Sequence, residues 1–316
     1  MRALVTGGAG FIGSNIVDAL IARGDSVTVI DDLSSGKRAN LASALAGGAE
    51  LHEVDIRDGA AVDAAFAASR PELVFHLAAQ MDVRRSLDDP AFDASVNVVG
   101  TINVLEAARR HRAQRLVNTS TGGAIYGETD VMPTPETVPP APMSAYGQSK
   151  QCAEQYCAWA GRLYGLPTVT LRYGNVYGPR QDPAGEAGVI AIFAGRLLDG
   201  RRPTIYGDGT AIRDYTFVAD IVRANLAVAG DLAAWGAYNV GTGSESSVLD
   251  VVQALRDAAA GEVDGFEPDF EPARIGELQR SSLDVSRARE ELGYVATTTL
   301  VEGMRATLDH LRAARG

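Results

Sequence analysis

The chain has 316 residues, of which 46% are hydrophobic and 22% charged, and a formal net charge of −11. This composition excludes disorder and describes an ordinary soluble globular protein, too long for one hydrophobic core, so a large domain with a smaller lobe is expected. The acidic balance opposes nucleic acid and anionic membrane surfaces at long range, so neither is an expected partner, and an anionic ligand would need local arginines.

In chain order, short apolar β-rich runs alternate with helical patterns from residue 1 to about 180. The runs are Ala3–Thr6, Ser26–Ile30, Glu50–Val54, Leu73–Leu77, Arg115–Thr119 and Thr168–Arg172. Helices are predicted over Phe11–Arg23, Ala60–Ser69, Ala91–Arg112 and Ala145–Tyr164. Strands apolar on both faces and separated by helices imply a doubly wound α/β fold with a parallel sheet. Residues 1–175 are expected to form this dinucleotide-binding domain, with a stretch near 210–245 returning to it, and 176–316 mainly a smaller α/β lobe for the substrate. In the second half, Gly178–Gly188 and Tyr206–Arg213 read as loops and Gly261–Gly276 as loop-rich. A helix starts near Val248, where Ser246 and Ser247 can cap it.

The first strand begins directly after Met1, which leaves no room for a leader peptide there, and no apolar run approaches the roughly 20 residues of a membrane span. Cys152 and Cys157 would sit about 140° apart around one helix, so no disulfide is expected. A cytoplasmic location follows as the expectation. His52, His76, His111 and His310 share no metal-ligand spacing, so they are read as structural and no metal is expected.

Glycines at 7, 10 and 13 lie between the first strand and the first helix. There they allow a tight turn, close approach of a pyrophosphate to the helix N-terminus, and close helix–strand packing. A Gly-rich turn alone is weak evidence, but Asp31 and Asp32 end the second strand about 20 residues later. A carboxylate at that position accepts from ribose hydroxyls and repels a 2′-phosphate, which favours NAD over NADP. Asp55, after the third strand, could reach the adenine edge or simply face solvent.

Tyr146 and Lys150 are four residues apart on one helix face, where a lysine ammonium would favour the phenolate and let tyrosine exchange a proton with a hydroxyl. This spacing is common on surface helices and gains meaning only downstream of a dinucleotide loop. Thr121 follows the fifth strand, at the carboxyl edge where doubly wound sheets bind ligands, and could hold the reacting oxygen; the alternative is a local backbone bond.

These motifs, with Leu77-Ala-Ala-Gln80, Asn97, Thr119-Ser-Thr-Gly-Gly-Ala-Ile-Tyr126-Gly, Leu171–Arg180, Arg213-Asp-Tyr, Asn239-Val-Gly-Thr and Leu283-Asp-Val-Ser, resemble the extended short-chain dehydrogenase/reductase family. Within that family they are most similar to its bacterial UDP-glucose 4-epimerase branch, over nearly all of the chain. The resemblance implies bound NAD, a UDP-sugar substrate and a homodimer built on the Ala91–Arg112 and Ala145–Tyr164 helices. It implies that Tyr146 deprotonates the sugar O4, that Thr121 hydrogen-bonds this oxygen, and that Lys150 holds the nicotinamide ribose. Further implied cofactor contacts are Phe11, Ile12, Leu33, Lys37, Ile56, Leu77, Ala78, Ala79, Gln80, Asn97, Thr119, Tyr173 and Val176. Asn175 is assigned to the pyrophosphate region, Arg213 and Arg274 to phosphates or ribose, and Val189 and Tyr206 to the uracil.

Related 4,6-dehydratases carry an acidic pair where this chain has Gly122 and Gly123, and related decarboxylases carry a nearby Glu, so elimination and decarboxylation are not expected. Glu128 lies outside the motif, as a solvated loop residue. UDP-glucuronate epimerisation is the runner-up, although a further Arg for a sugar carboxylate is missing. Ser281 aligns with a bulky Tyr of hexose-only relatives, which would also admit N-acetylhexosamines, while Met81 stands where some relatives carry Lys. A non-catalytic NAD-binding regulator would share the fold, but intact Thr121, Tyr146 and Lys150 argue against it.

Overall fold

The computed structural model describes residues 1–183, 188–260, 266–273 and 278–315. The apolar runs form seven parallel strands: β1 (Arg2–Thr6), β2 (Ser26–Asp31), β3 (Glu50–Glu53), β4 (Leu73–His76), β5 (Arg115–Thr121), β6 (Thr168–Tyr173) and β7 (Gly236–Val240). Their order is β3-β2-β1-β4-β5-β6-β7. The doubly wound sheet expected from the sequence therefore forms, and its order reverses between β1 and β4. Ligands bind such sheets outside the carboxyl ends of the strands at this reversal.

The two sheet faces carry separate cores. Ile16, Val17 and Leu20 of the Phe11–Ala22 helix pack on one face with Ile221 and Val228 of the Val218–Gly230 helix. Phe66, Val104, Leu105 and Ala160 cover the other. Burial on both faces is why the strands read as continuous apolar runs with no polar alternation.

Three helices, Val189–Leu198, Val248–Ala258 and Leu300–Ala313, build a third core around Phe193, Leu255, Met304 and Leu308. The helix expected near Val248 starts there, with Ser247 and Asp250 forming a reciprocal capping box. Two loop expectations need correction. Ile212–Arg213 is a short strand, antiparallel to Ser246–Ser247 and parallel to Arg280–Ser281. Asp269–Glu271 pairs in parallel with Thr204–Tyr206. Strands of two or three residues are too short to show a period in sequence.

The continuous helix expected over Ala91–Arg112 is also interrupted. Asp89 accepts from the Phe92 amide and Pro90 opens a helix that ends at Ala94, a π-helical turn covers Ser95–Gly100, and an α-helix resumes over Thr101–Arg110. Such turns frequently mark functional positions. Among the described residues no helix is long and apolar enough to cross a membrane, and no cluster of His, Cys, Asp and Glu could hold a metal ion.

Candidate active site

The glycine loop sits at the sheet reversal. Gly7 has φ of 68°, and a Cβ there would lie 2.6 Å from the Ala78 amide nitrogen, so the loop touches the end of β4 backbone to backbone. A Cβ on Gly13 would collide with the Gly7 carbonyl oxygen. Gly10 precedes the Phe11–Ala22 helix, and no side chain caps that N-terminus. Its amides remain available to an anion, in the helix dipole's favour.

Asp31, buried at the end of β2, accepts from the amides of Ala9 (2.8 Å) and Leu33 (2.9 Å). Burial pushes its carboxyl up, against the two amide bonds that hold it down. Asp32 is exposed and bonds Ser34. Asp55 does not stand free: Arg57 engages both its oxygens, at 2.8 and 3.1 Å from Nε, and holds its carboxyl below the usual range. Lys37 pairs with Asp182 at 2.5 Å, while Arg180 pairs with Asp18, so the loop after β6 is laced to the nucleotide side. Ile56 is buried against Gly100, and Phe11, Ile12 and Leu33 are half-buried around the glycine loop.

At the end of β4, Leu77, Ala78 and Ala79 are half-buried opposite the loop. His76 beneath them is fully enclosed, and its tautomer follows from its partners. Thr101 Oγ1 donates to Asn97 O (2.6 Å), so it accepts from His76 Nε2 (2.9 Å). His76 Nδ1 is then the acceptor of Thr6 Oγ1 (2.7 Å). Burial, then the Lys150 charge, push its pKa down to about 3, so it is a structural, neutral imidazole. Gln80 N donates to Asn97 Oδ1 (2.8 Å) and Asn97 Nδ2 donates to Gln80 O (2.9 Å).

The catalytic candidates meet over the ends of β5 and β6. Ser144 caps the Ala145–Tyr164 helix by accepting from Gly147 N (3.1 Å), which fixes the helix start one turn before Lys150. Thr121, at the end of β5, lies close enough to the Tyr146 phenol to favour its ionised form. A Cβ on Gly123 would lie 3.3 Å from Asn175 Oδ1 and 4.0 Å from both Ser281 Oγ and Thr121 Oγ1, so Thr121, Asn175 and Ser281 converge on this glycine. Arg213 is the register partner of Ser281 on the adjacent short strand.

One electrostatic expectation is corrected. Burial pushes the Tyr146 phenol up to about 12; Thr121 lowers it and the Asp93 charge raises it, and Lys150 is not among the groups that offset this. Lys150 is itself buried, which draws its ammonium down to about 8. Its charge is felt at His76 instead.

Other assigned residues are placed less centrally. Tyr173 is buried, with its hydroxyl 2.7 Å from Asn225 Nδ2 and 3.2 Å from Thr119 Oγ1, and Val176 packs on the first core. Val189 opens a second-lobe helix and packs on its core, and Tyr206 is exposed at a strand end. Arg274 lies outside the described residues. Met81 and Glu128 are exposed. Cys152 and Cys157 are free thiols, and burial pushes Cys157 up to about 12.

Comparison with known proteins agrees with this geometry. The NAD dependent epimerase/dehydratase family matches residues 3–241. The chain belongs to this family. A UDP-glucose 4-epimerase of Mycolicibacterium smegmatis is 47% identical, over 99% of this chain and 99% of that protein. The crystal structure of a UDP-glucose 4-epimerase with UDP-glucose from Thermotoga maritima has a TM-score of 0.93 at 43% identity, covering 100% of both chains. A Thermus thermophilus UDP-glucose 4-epimerase in complex with NAD has a TM-score of 0.91 at 45% identity, covering 99% of this chain and 100% of that one.

The residues present suit the cofactor that this epimerase/dehydratase family is named for. A loop of glycines and one alanine leads into a helix N-terminus whose cap residue, Gly10, makes no side-chain bond, and Asp31 ends the neighbouring strand with its carboxylate turned back onto the loop amide of Ala9. Ser149, inside the Tyr146–Lys150 motif, and Asp93 have no role assigned from the sequence, yet both join the buried polar network. Ser149 Oγ donates to Tyr146 O and accepts from Asn97 Nδ2, each at 3.0 Å. The available signal was spacing: Asp93 precedes Asn97 by one helical turn.

Proposed function

We propose that the chain is a UDP-sugar 4-epimerase, interconverting UDP-glucose and UDP-galactose and also accepting UDP-N-acetylhexosamines. Tyr146 takes the proton of the sugar 4-hydroxyl and returns it, Thr121 holds the 4-oxygen beside the phenol, and Lys150 and Asn97 hold the nicotinamide ribose and its surround. NAD, when bound, supplies the acceptor for the C4 hydride and gives the same hydride back. Asn175, Arg213 and Arg274 hold the diphosphate, which planar guanidinium groups suit. Val189 and Tyr206 flank the uracil.

The observation that carries this reading is the placing of Thr121 beside the Tyr146 phenol, next to Gly122 and Gly123. The acid groups that elimination requires are absent from these two positions, which lie against Leu283 and Asn175. One tyrosine suffices when only a hydride and one proton move. The buried, small Ser281 beside Gly123 supports the wider N-acetylhexosamine range. A homodimer is part of the proposal, supported by exposed Tyr156, Trp159 and Leu163 on the Ala145–Tyr164 helix; a cytoplasmic location is supported by the free thiols.

The test is turnover of UDP-glucose, UDP-galactose, UDP-N-acetylglucosamine and UDP-glucuronate by wild type and Tyr146→Phe. The first three should react and the fourth should not, and the variant should retain NAD absorbance while losing at least about a hundredfold in kcat, the scale of a general acid–base. Full activity in Tyr146→Phe would overturn the mechanism.

A further inference from the structure

We propose that Ser86 is a positioning residue of this reaction: its hydroxyl takes the backbone N–H of Tyr146 that the catalytic helix cannot satisfy, and so fixes where the phenol stands. This rests on the epimerase reading and deepens it.

The first turn of a helix carries amides with no partner in the helix itself. Tyr146 falls in that turn of the Ala145–Tyr164 helix, and the cap residue Ser144 commits its hydroxyl to Gly147 N (3.1 Å). The Tyr146 amide instead donates to Ser86 Oγ (3.1 Å), 60 residues earlier in the chain. Ser86 Oγ donates its own proton to Val83 O at 2.6 Å, which leaves a lone pair, and not a proton, facing Tyr146. On the other side of the same residue, Tyr146 O accepts from Ser149 Oγ, which Asn97 holds. The tyrosine is therefore gripped at both its amide and its carbonyl by hydroxyls, one of them from a separate element.

The element that supplies Ser86 is built around that contact. In the six-residue helix Val83–Asp88, Val83, Arg84, Arg85, Leu87 and Asp88 are exposed, and the buried residue is Ser86, at 0% exposure. An inward position taken for packing alone would carry an apolar side chain, since a buried hydroxyl is unfavourable unless bonded. The start of the helix is fastened. Asp82 caps it by accepting from Arg84 N (2.8 Å) and Arg85 N (3.1 Å), and Gln80 brackets Asp82, accepting from its amide (2.6 Å) and donating to its carbonyl (2.9 Å). Gln80 is in turn paired through its backbone with Asn97. Asn97 thus anchors both grips, through Gln80 and the short helix to the Tyr146 amide, and through Ser149 to the Tyr146 carbonyl.

A general acid–base works at hydrogen-bond distance from the oxygen it serves, and a displacement of about 1 Å can cost on the order of a hundredfold. Without the Ser86 hydroxyl the first turn loses its outside partner, while the residues assigned to the diphosphate and uracil lie on other elements. Catalysis and not substrate binding should therefore suffer.

The test compares Ser86→Ala with Ser86→Thr, each assayed on chains that carry NAD and well below the unfolding midpoint. Ser86→Ala should lose roughly ten- to a hundredfold in kcat with KM within about twofold of wild type, and amide hydrogen exchange across residues 145–150 should rise. Ser86→Thr keeps a hydroxyl that can bond the carbonyl one turn back, so it should recover most of kcat. Should its extra methyl prevent folding, Ser86→Cys keeps a weaker acceptor at the same point and should fall between wild type and Ser86→Ala. A lowered unfolding midpoint with wild-type kcat would make the contact merely structural and overturn the proposal, as would a rise in KM alone, or equal losses in Ser86→Ala and the variant that keeps the acceptor. Wild type that epimerises none of the UDP-sugars would sink the functional reading, with the amide exchange still reading whether Ser86 holds that turn.

Discussion

A methyl group on Gly13 would drive into the Gly7 carbonyl oxygen and come within 2.8 Å of Gly8 Cα. Both obstacles are backbone, so no side chain can rotate away and the loop itself must shift. Gly13→Ala should therefore lose roughly 1–3 kcal/mol of stability through overpacking, read by denaturant unfolding, and should purify with less NAD absorbance per chain. Unchanged cofactor content would show that the loop does not seat the pyrophosphate. Residues such as Gly13, Tyr146 and Lys150 were legible in the sequence because their geometry is local: a turn, or one turn of helix. The relay from Asp93 through Asn97 and Ser149 to Tyr146 was not, since Asn97 and Ser149 meet only after the helices pack. The direction of the Tyr146 shift was missed for a related reason: spacing places a lysine nearby but carries no information about burial.

At the scale of elements, β1, β2 and β4 were visible because strands covered on both faces must be apolar throughout, and their bounds shift by only a residue or two in the structure. Ile212–Arg213 and Asp269–Glu271 were read as loops because their pairing partners are distant in sequence and their length shows no period. The π turn at Ser95–Gly100 was equally hidden: it holds Asn97, whose partners on the Gln80 backbone lie 17 residues away. The Ala145–Tyr164 helix has a buried face and an exposed aromatic one. Lys150 and Ala153 are buried, whereas Trp159 is 37% exposed and stacks edge-on with both Tyr156 and Tyr164. An aromatic cluster left at the surface fits the centre of an interface between two copies. Trp159→Glu should weaken self-association at least about thirtyfold, the scale of a ~2 kcal/mol hot spot, in sedimentation velocity. A variant that stays as dimeric as wild type would place the interface elsewhere.

At the scale of the molecule, the site lies where the sheet's carboxyl edge meets the short strands that hold Arg213 and Ser281. The sheet supplies the glycine loop, Asp31, Thr121 and the tyrosine helix, and those short strands bring Ser281 beside Gly123. On the proposed function, a net acidic protein can accept diphosphate ligands because positive potential is local, at the helix N-terminus behind the glycine loop and at individual arginines, while the overall charge stays at −11. The most direct test follows the C4 hydride. With UDP-[4-2H]glucose as substrate, the UDP-galactose formed should keep its deuterium at C4, and the unlabelled reaction run in D2O should place no deuterium on carbon. Loss of the C4 label to solvent, or solvent deuterium on the sugar ring, would contradict transient oxidation and re-reduction at C4.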